Sequence, residues 1–113
     1  MKLPSSIKVG AVDYTVVEFG TKEAAGEERN GFCDRLNALI RINTDRQPGL
    51  IAVTLVHEIM HAIAWGWGIH NIKGKDGEEE MVWQLGQGWA AVLRDNPALL
   101  SYLAGVLQGK EVE

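Results

Sequence analysis

Cysteine is almost absent from this 113-residue chain, since Cys33 is the only one. An internal disulfide is therefore impossible, and packing alone must hold the fold together. Residues 1–6 also lack the long apolar segment of a secretory signal. Both features favour a reducing compartment, so we expect the protein to be cytoplasmic.

Clusters of basic residues and long apolar runs are missing as well. The formal net charge is −4, and neither Lys nor Arg forms a run, so the charge pattern of a nucleic-acid-binding protein is absent. The longest apolar stretch is interrupted by His57, Glu58 and His61, whereas a membrane span requires about 20 largely apolar residues. We expect an acidic, soluble protein whose partners are neither nucleic acid nor membrane.

The first half of the chain is rich in β-branched residues. A chain of this length suits one domain spanning residues 1–113, because it is long enough for one core and too short for two. The pattern predicts a hairpin formed by 7–9 and 14–18, and a second one formed by 31–34 and 38–42. A charged, glycine-containing loop joins them. We expect an antiparallel sheet of three to four strands.

The second half of the chain predicts three helices. The first spans about 48–67, with an apolar stripe at spacings of three and four. Glycines then turn the chain back, and the second helix begins near Asp76 and ends before Asn96. Asn96 is the predicted cap of a third helix that ends near Gly109. The predicted fold is α+β, with a small sheet packed on the first helix and two carboxyl-terminal helices.

The first helix contains an HExxH motif at residues 57–61. Residues four apart lie one turn from each other on the same helical face, so His57 and His61 can direct two imidazole nitrogens at one tetrahedral ion. Glu58 is rotated about 100° from His57, which suits action on a water at the metal better than ligation. We predict a Zn²⁺ site in which Glu58 is the general base.

A catalytic zinc requires a third protein ligand and an open position for water. The extended motif HExxHxxGxxH is absent, because Trp67 occupies the position of its third histidine. His70 could coordinate the metal from a loop, although a lone histidine beside glycine and asparagine more commonly faces solvent. The second helix offers a better source of the ligand.

That source is the acidic run Glu78 to Glu80 at the start of the second helix. With Val82 and Leu85 taken as the inward face, Glu78 and Glu79 project toward it and Glu80 points away. We prefer Glu79, with Glu78 fitting almost as well, and expect Gly86 to leave room for the first helix. Glu79 also has a second explanation, as a capping-box residue in an acidic run that suits the helix dipole without any metal.

Three segments carry a resemblance to a known group: Ile7-Lys8-Val9-Gly10, TLVHEIMHAI at 54–63, and EEMVWQLGQGWAAVLRDNP at 79–97. They resemble small zincin-like metallopeptidase-type proteins of bacteriophages and prophages, which are distantly similar to the ImmA/IrrE and SprT-like families. The resemblance covers most of the chain. It implies a minimal zincin-like fold and a bacterial host cytoplasm.

The same resemblance implies His57 and His61 as zinc ligands, Glu58 as catalytic acid/base, and Glu79 or Glu80 as third ligand. The predicted function is a zinc-dependent metallopeptidase, in which Glu58 takes a proton from a zinc-activated water and returns it to the leaving amine. An exposed strand, the one ending at Ile42, would hold an extended protein or peptide substrate.

The alternative is a non-catalytic phage module in which the metal or the HExxH helix is structural. The chain's tryptophans would then contribute to a surface for a protein partner: Trp65, Trp67, Trp83 and Trp89. Glu58→Gln separates the two functions, because only the enzyme requires the carboxylate.

Overall fold

The computed structural model describes residues 2–20, 29–74 and 77–109. The loop predicted between the two hairpins lies mostly outside these ranges, and so does Asp76, the predicted start of the second helix. Within them, four strands precede three α-helices, in the predicted order.

The four strands form one sheet: β1 (Ser6–Val9), β2 (Val12–Phe19), β3 (Gly31–Asp34) and β4 (Leu39–Asn43). Both predicted hairpins are confirmed, since β1 pairs antiparallel with β2 and β3 pairs antiparallel with β4. Gly10 has a φ of 62° in the first turn, a left-handed conformation that glycine adopts without steric cost.

The sheet is mixed rather than wholly antiparallel, which corrects one expectation. Its spatial order is β1-β2-β4-β3, and β2 runs parallel to β4 with Thr15 opposite Leu39. A tight turn would force neighbouring strands to be antiparallel, but about twenty residues separate β2 from β4, enough for a parallel crossover. The edges are therefore β1 and β3. The strand ending near Ile42 is interior, so the prediction that it is an exposed peptide-binding strand is wrong.

The three helices lie close to their predicted ranges: α1 (Pro48–Gly66), α2 (Gly77–Asp95) and α3 (Pro97–Leu107), with a short 3-10 turn at Ile69–Asn71. Pro48 and Pro97 occupy first-turn positions, where a missing backbone N–H costs nothing.

Asn96 stands between α2 and α3, but its side chain does not cap α3 as predicted. Its Oδ1 accepts a hydrogen bond from the backbone N–H of Lys8 at 2.8 Å, and its Nδ2 donates to the Lys8 carbonyl at 2.8 Å and to the Val92 carbonyl at 2.7 Å. These three hydrogen bonds join β1 to the corner between α2 and α3. Only the Asn96 backbone carbonyl serves α3, by accepting from the N–H of Leu99.

The core lies between the sheet and α1. The largest fully buried apolar side chains in the described ranges are Ile7, Ile40, Ile42, Leu55, Ile59, Ile63, Val92 and Leu99. Each contributes about 1.5–3 kcal/mol relative to an exposed side chain. By length and composition α1 is apolar enough to cross a membrane, yet its apolar stripe forms the centre of this core. The molecule is a globule built around α1.

Helix α2 approaches α1 at Gly88 rather than at Gly86. A Cβ atom on Gly88 would overlap Cγ2 of Ile63, whereas one on Gly86 would meet nothing within 4 Å. Val82 is 58% exposed, so its assignment to the inward face is also wrong. The buried residues of α2 are Gly77, Gly88 and Val92.

Candidate metal centre

His57 and His61 lie one turn apart in the middle of α1, with both side chains exposed. Their Nε2 atoms are 3.2 Å apart, and the rings are nearly perpendicular, at 79°. Two nitrogens bound to one tetrahedral zinc at 2.0–2.1 Å lie about 3.3 Å from each other. The pair therefore has the spacing that a zinc ion requires. The same distance also suits a hydrogen bond between two neutral imidazoles.

Glu58 completes the group, as the spacing predicts. A carboxylate oxygen of Glu58 and one nitrogen of each histidine lie within 4.8 Å of one another, the one such group in the described part of the chain. The Glu58 side chain is only 5% exposed. Burial raises the pKa of its carboxyl group, and the nearby charges of His57, His61 and Arg29 oppose part of that rise. A buried carboxyl of this kind is suited to accepting and returning a proton.

A cleft of about 320 Å³ separates α1 from the edge strand β3. Asn30 and Gly31 line one side, and Val53, His57 and Glu58 line the other. At Gly31 a Cβ would lie 2.5 Å from the Arg41 carbonyl oxygen, so only glycine allows β3 this position. Gly31 was not among the predicted site residues, although a glycine opening a strand is a signal of close backbone approach.

On the other side of the two histidines lies an apolar cavity of about 220 Å³. Its wall consists of His57 and His61 together with apolar side chains of α1, the 3-10 turn and α2: Met60, Ala64, Ile69, Met81 and Leu85. The candidate metal centre thus has a polar cleft toward β3 and an apolar cavity toward α2.

Cys33 lies near the buried carboxyl of Glu58, and Tyr14 lies beside Cys33. Burial raises the pKa of the Cys33 thiol to about 11, with a further contribution from the negative charge of Glu58. Burial also raises the pKa of the Tyr14 hydroxyl, which is hydrogen-bonded to Cys33. Both groups are therefore protonated at neutral pH. Tyr102 lines a different cavity, beside Lys2.

The structure does not bring Glu79 to the histidines, because no acid of α2 joins their group among the described residues. Glu79 lines a groove on the far side of α2 with Trp83 and Gly86. The side chain of His70, the other alternative, lies outside the described part of the chain.

The helical phase of α2 explains this placement. Met81 and Leu85 face the cavity beside the histidines, and Gly88 contacts α1. At about 100° per residue, Glu78 is rotated only about 60° from Met81, whereas Glu79 is rotated about 160° from it. Glu78 is therefore the acid of the first turn that lies nearest to the inward face.

No family model matches the chain, and no curated protein or solved structure is significantly similar to it. The geometry of the site must therefore support any functional conclusion by itself.

Proposed function

We propose that the protein is a zinc-dependent metallopeptidase of the zincin-like kind. The observation that supports this most is the 3.2 Å separation of the His57 and His61 Nε2 atoms beside the buried carboxyl of Glu58. Two converging imidazoles on one helical face with an adjacent buried acid are the donor set of a catalytic zinc site.

Each side chain then has a distinct task. His57 and His61 would hold the metal through Nε2. Zinc, when bound, lowers the pKa of a water toward neutrality and polarises a peptide carbonyl. Glu58 accepts the proton of the attacking water and delivers it to the amine that leaves. Because its carboxyl is buried, competing water is kept from the proton it carries.

The substrate would be an extended peptide in the cleft between α1 and β3. Strand β3 is the edge of the sheet on this side, and an edge strand offers unpaired main-chain groups to an incoming chain. The cleft contains His57 and Glu58 in its wall, so a peptide paired with β3 would lie against both.

For the third ligand we propose an acid in the first turn of α2. Glu78 is favoured over Glu79 by its rotation about the helix axis, because it lies closer to the side of α2 that faces the histidines. The site of action would be a bacterial cytoplasm, the host cytoplasm for a phage-encoded protein.

The ligand assignment is tested by the zinc content of the purified protein. We expect His57→Ala and His61→Ala to lose zinc, Glu78→Ala to bind it at least about tenfold more weakly, and Glu79→Ala and His70→Ala to bind it normally. If Glu78→Ala binds zinc normally and Glu79→Ala or His70→Ala loses it, the third ligand is the residue whose replacement causes the loss.

The catalytic role of Glu58 is tested with Glu58→Gln and a library of quenched-fluorescent peptides. We expect normal zinc content and hydrolysis reduced at least about 100-fold, because the amide cannot accept the proton. Glu18→Gln is the matched control, since Glu18 is exposed on β2 and lies away from the centre. Equal hydrolysis by wild type and Glu58→Gln would exclude the proposed mechanism.

The second candidate function is a non-catalytic interaction module. It is favoured by one observation, the 66% exposure of Trp83 on α2. Trp67 and Trp89 pack against the core, and Trp65, which is 43% exposed, has the guanidinium of Arg35 stacked on its ring, 3.1 Å from the centroid. In this case Glu58→Gln retains full biological activity, and Trp83→Ala loses it.

A further inference from the structure

The face of α2 that points away from α1 combines apolar and small residues in the open. Val82 and Trp83 are 58% and 66% exposed, and a Cβ on Gly86 would meet nothing within 4 Å. With Ala90, these residues line a largely apolar groove of about 320 Å³. We name this surface the outer face of α2. Contiguous exposed apolar surface of this kind marks interaction sites in soluble proteins.

The two ends of the outer face carry opposite charges. Glu79 lies at its start, in a first turn that contains three acids, and Arg94 lies in the last turn. Fifteen residues rotate a helix by about 60° beyond four whole turns, so both side chains belong to the same face, about 22 Å apart along the axis. The Arg94 side chain is 73% exposed and forms an ion pair with its neighbour Asp95 at 2.8 Å.

We propose that the outer face of α2 pairs with a second copy of the same face, in an antiparallel, two-fold symmetric dimer. An axis passing between Gly86 and Gln87 brings Glu79 opposite the partner subunit's Arg94. It also brings Trp83 opposite the partner subunit's Ala90. Each subunit thereby supplies the charge that the other lacks at that position.

The small residues make such a pairing compact. Helix axes approach to about 8 Å only where the contact side chains are small. Gly86 and Ala90 lie one turn apart and leave a shallow surface that can receive the partner's indole ring. Antiparallel helices also place the positive end of one dipole beside the negative end of the other.

Self-pairing fits this face better than a different partner does. In an isologous contact a residue and its counterpart occur twice, so a face with opposite charges at equal distances from its centre is complementary to itself. One helix pair buries less than the roughly 1,600 Å² of a standard interface, so we expect a dimer of micromolar affinity. The proposal does not depend on the candidate metal centre, which is formed by α1 and is faced by the opposite side of α2.

The first test is charge reversal, measured by sedimentation of the full chain at protein concentrations of about 5–200 µM with EDTA present. We expect wild type to dimerise, and Glu79→Arg and Arg94→Glu each to weaken the dimer at least about tenfold. The two single variants mixed together should associate like wild type, because every cross-subunit pair is then of opposite charge. The double variant should recover for the same reason. Glu18→Arg, the same change at an exposed position of β2, should have no effect.

The second test places bulk at the centre. Gly86→Gln meets open space within one chain, so it should fold normally by circular dichroism and yet show no dimer at 200 µM. Gly66→Gln is the control, because Gly66 also faces open space but lies at the end of α1. A monomeric wild type at 200 µM, an undiminished dimer in Gly86→Gln, or a mixture of the charge variants that stays dissociated would each overturn the proposal.

Discussion

The individual side chains of the candidate metal centre differ in how far they are buried. Both imidazoles reach solvent, whereas Glu58 is only 5% exposed and shares its surroundings with Cys33. Charged groups that lose water are disfavoured, so this part of the centre favours neutral forms. Cys33 lies in the same buried surroundings but is not part of the candidate metal-binding group.

The reactivity of Cys33 should therefore be strongly suppressed by folding. The thiol pKa is raised from 9.0 to about 11, which lowers the thiolate fraction at pH 8 about 100-fold. We expect iodoacetamide to react at least about 100-fold more slowly with the folded chain than with the chain in urea. Because the folded pKa lies above the unfolded one, ionisation of Cys33 destabilises the fold as pH rises from 9 toward 11, and not below pH 9. A folded-state alkylation rate that reaches its plateau near pH 9 would contradict this.

Asn96 should matter for stability well beyond a helix cap. Asn96→Ala removes three hydrogen bonds and leaves the part-buried N–H and C=O of Lys8 without their partner. We expect the free energy of unfolding to fall by about 2–4 kcal/mol. Urea denaturation measures it, and Asn71→Ala, at an exposed position of the 3-10 turn, is the control, with a change within about 0.5 kcal/mol. A similar loss in both variants would argue against the bridging role.

At the scale of elements, two glycines of α2 should respond in opposite directions to alanine. Gly88→Ala forces a methyl group against Ile63 and should cost about 1–3 kcal/mol, because the core must shift. Gly86→Ala adds a methyl group in open space and should stabilise the helix by up to about 1 kcal/mol. Urea denaturation at low micromolar concentration compares them without self-association. If both substitutions changed the free energy of unfolding equally, α2 would have to be rotated differently about its axis.

The same helix shows why part of the fold was predictable and part was not. HExxH fixes which residues of α1 meet, because their spacing is local, and hairpins follow from short turns. Helix α2 has apolar residues on two faces, one with Leu85 and Val92 and one with Val82 and Trp83, so its rotation cannot be read from periodicity alone. The preference for Glu79 over Glu78, and the expectation that Gly86 leaves room for α1, both depended on that rotation.

The other differences between the predicted and the observed fold come from long-range contacts. The parallel contact of β2 with β4 and the bridge from Asn96 to Lys8 join residues far apart in the chain. Neither leaves a local signal: an Asn before Pro has the pattern of a helix cap, and four short strands can pair in several orders. Asn96 and the edge position of β3 became evident only from the assembled sheet.

For the whole molecule, metal binding should be coupled to unfolding. The two histidines proposed as ligands are held together only in folded α1, so zinc at 100 times its dissociation constant should stabilise the chain by about 2.7 kcal/mol. We expect zinc to raise Tm by about 10 °C, EDTA to reverse the rise, and His57→Ala to abolish it. Glu58→Gln, which keeps both imidazoles, should retain it. A zinc response that survives His57→Ala would place the metal elsewhere.

The hydrogen bonds between Asn96 and Lys8 also affect when the protein can complete its fold during translation. The strand that contains Lys8 is synthesised first, yet its hydrogen-bonding partner follows 88 residues later. Until that asparagine has left the exit tunnel, strand β1 at the border of the sheet is not joined to the helices by these hydrogen bonds. The domain therefore completes its fold late in translation, and a ribosome stalled before residue 96 should carry a nascent chain that proteases cleave readily.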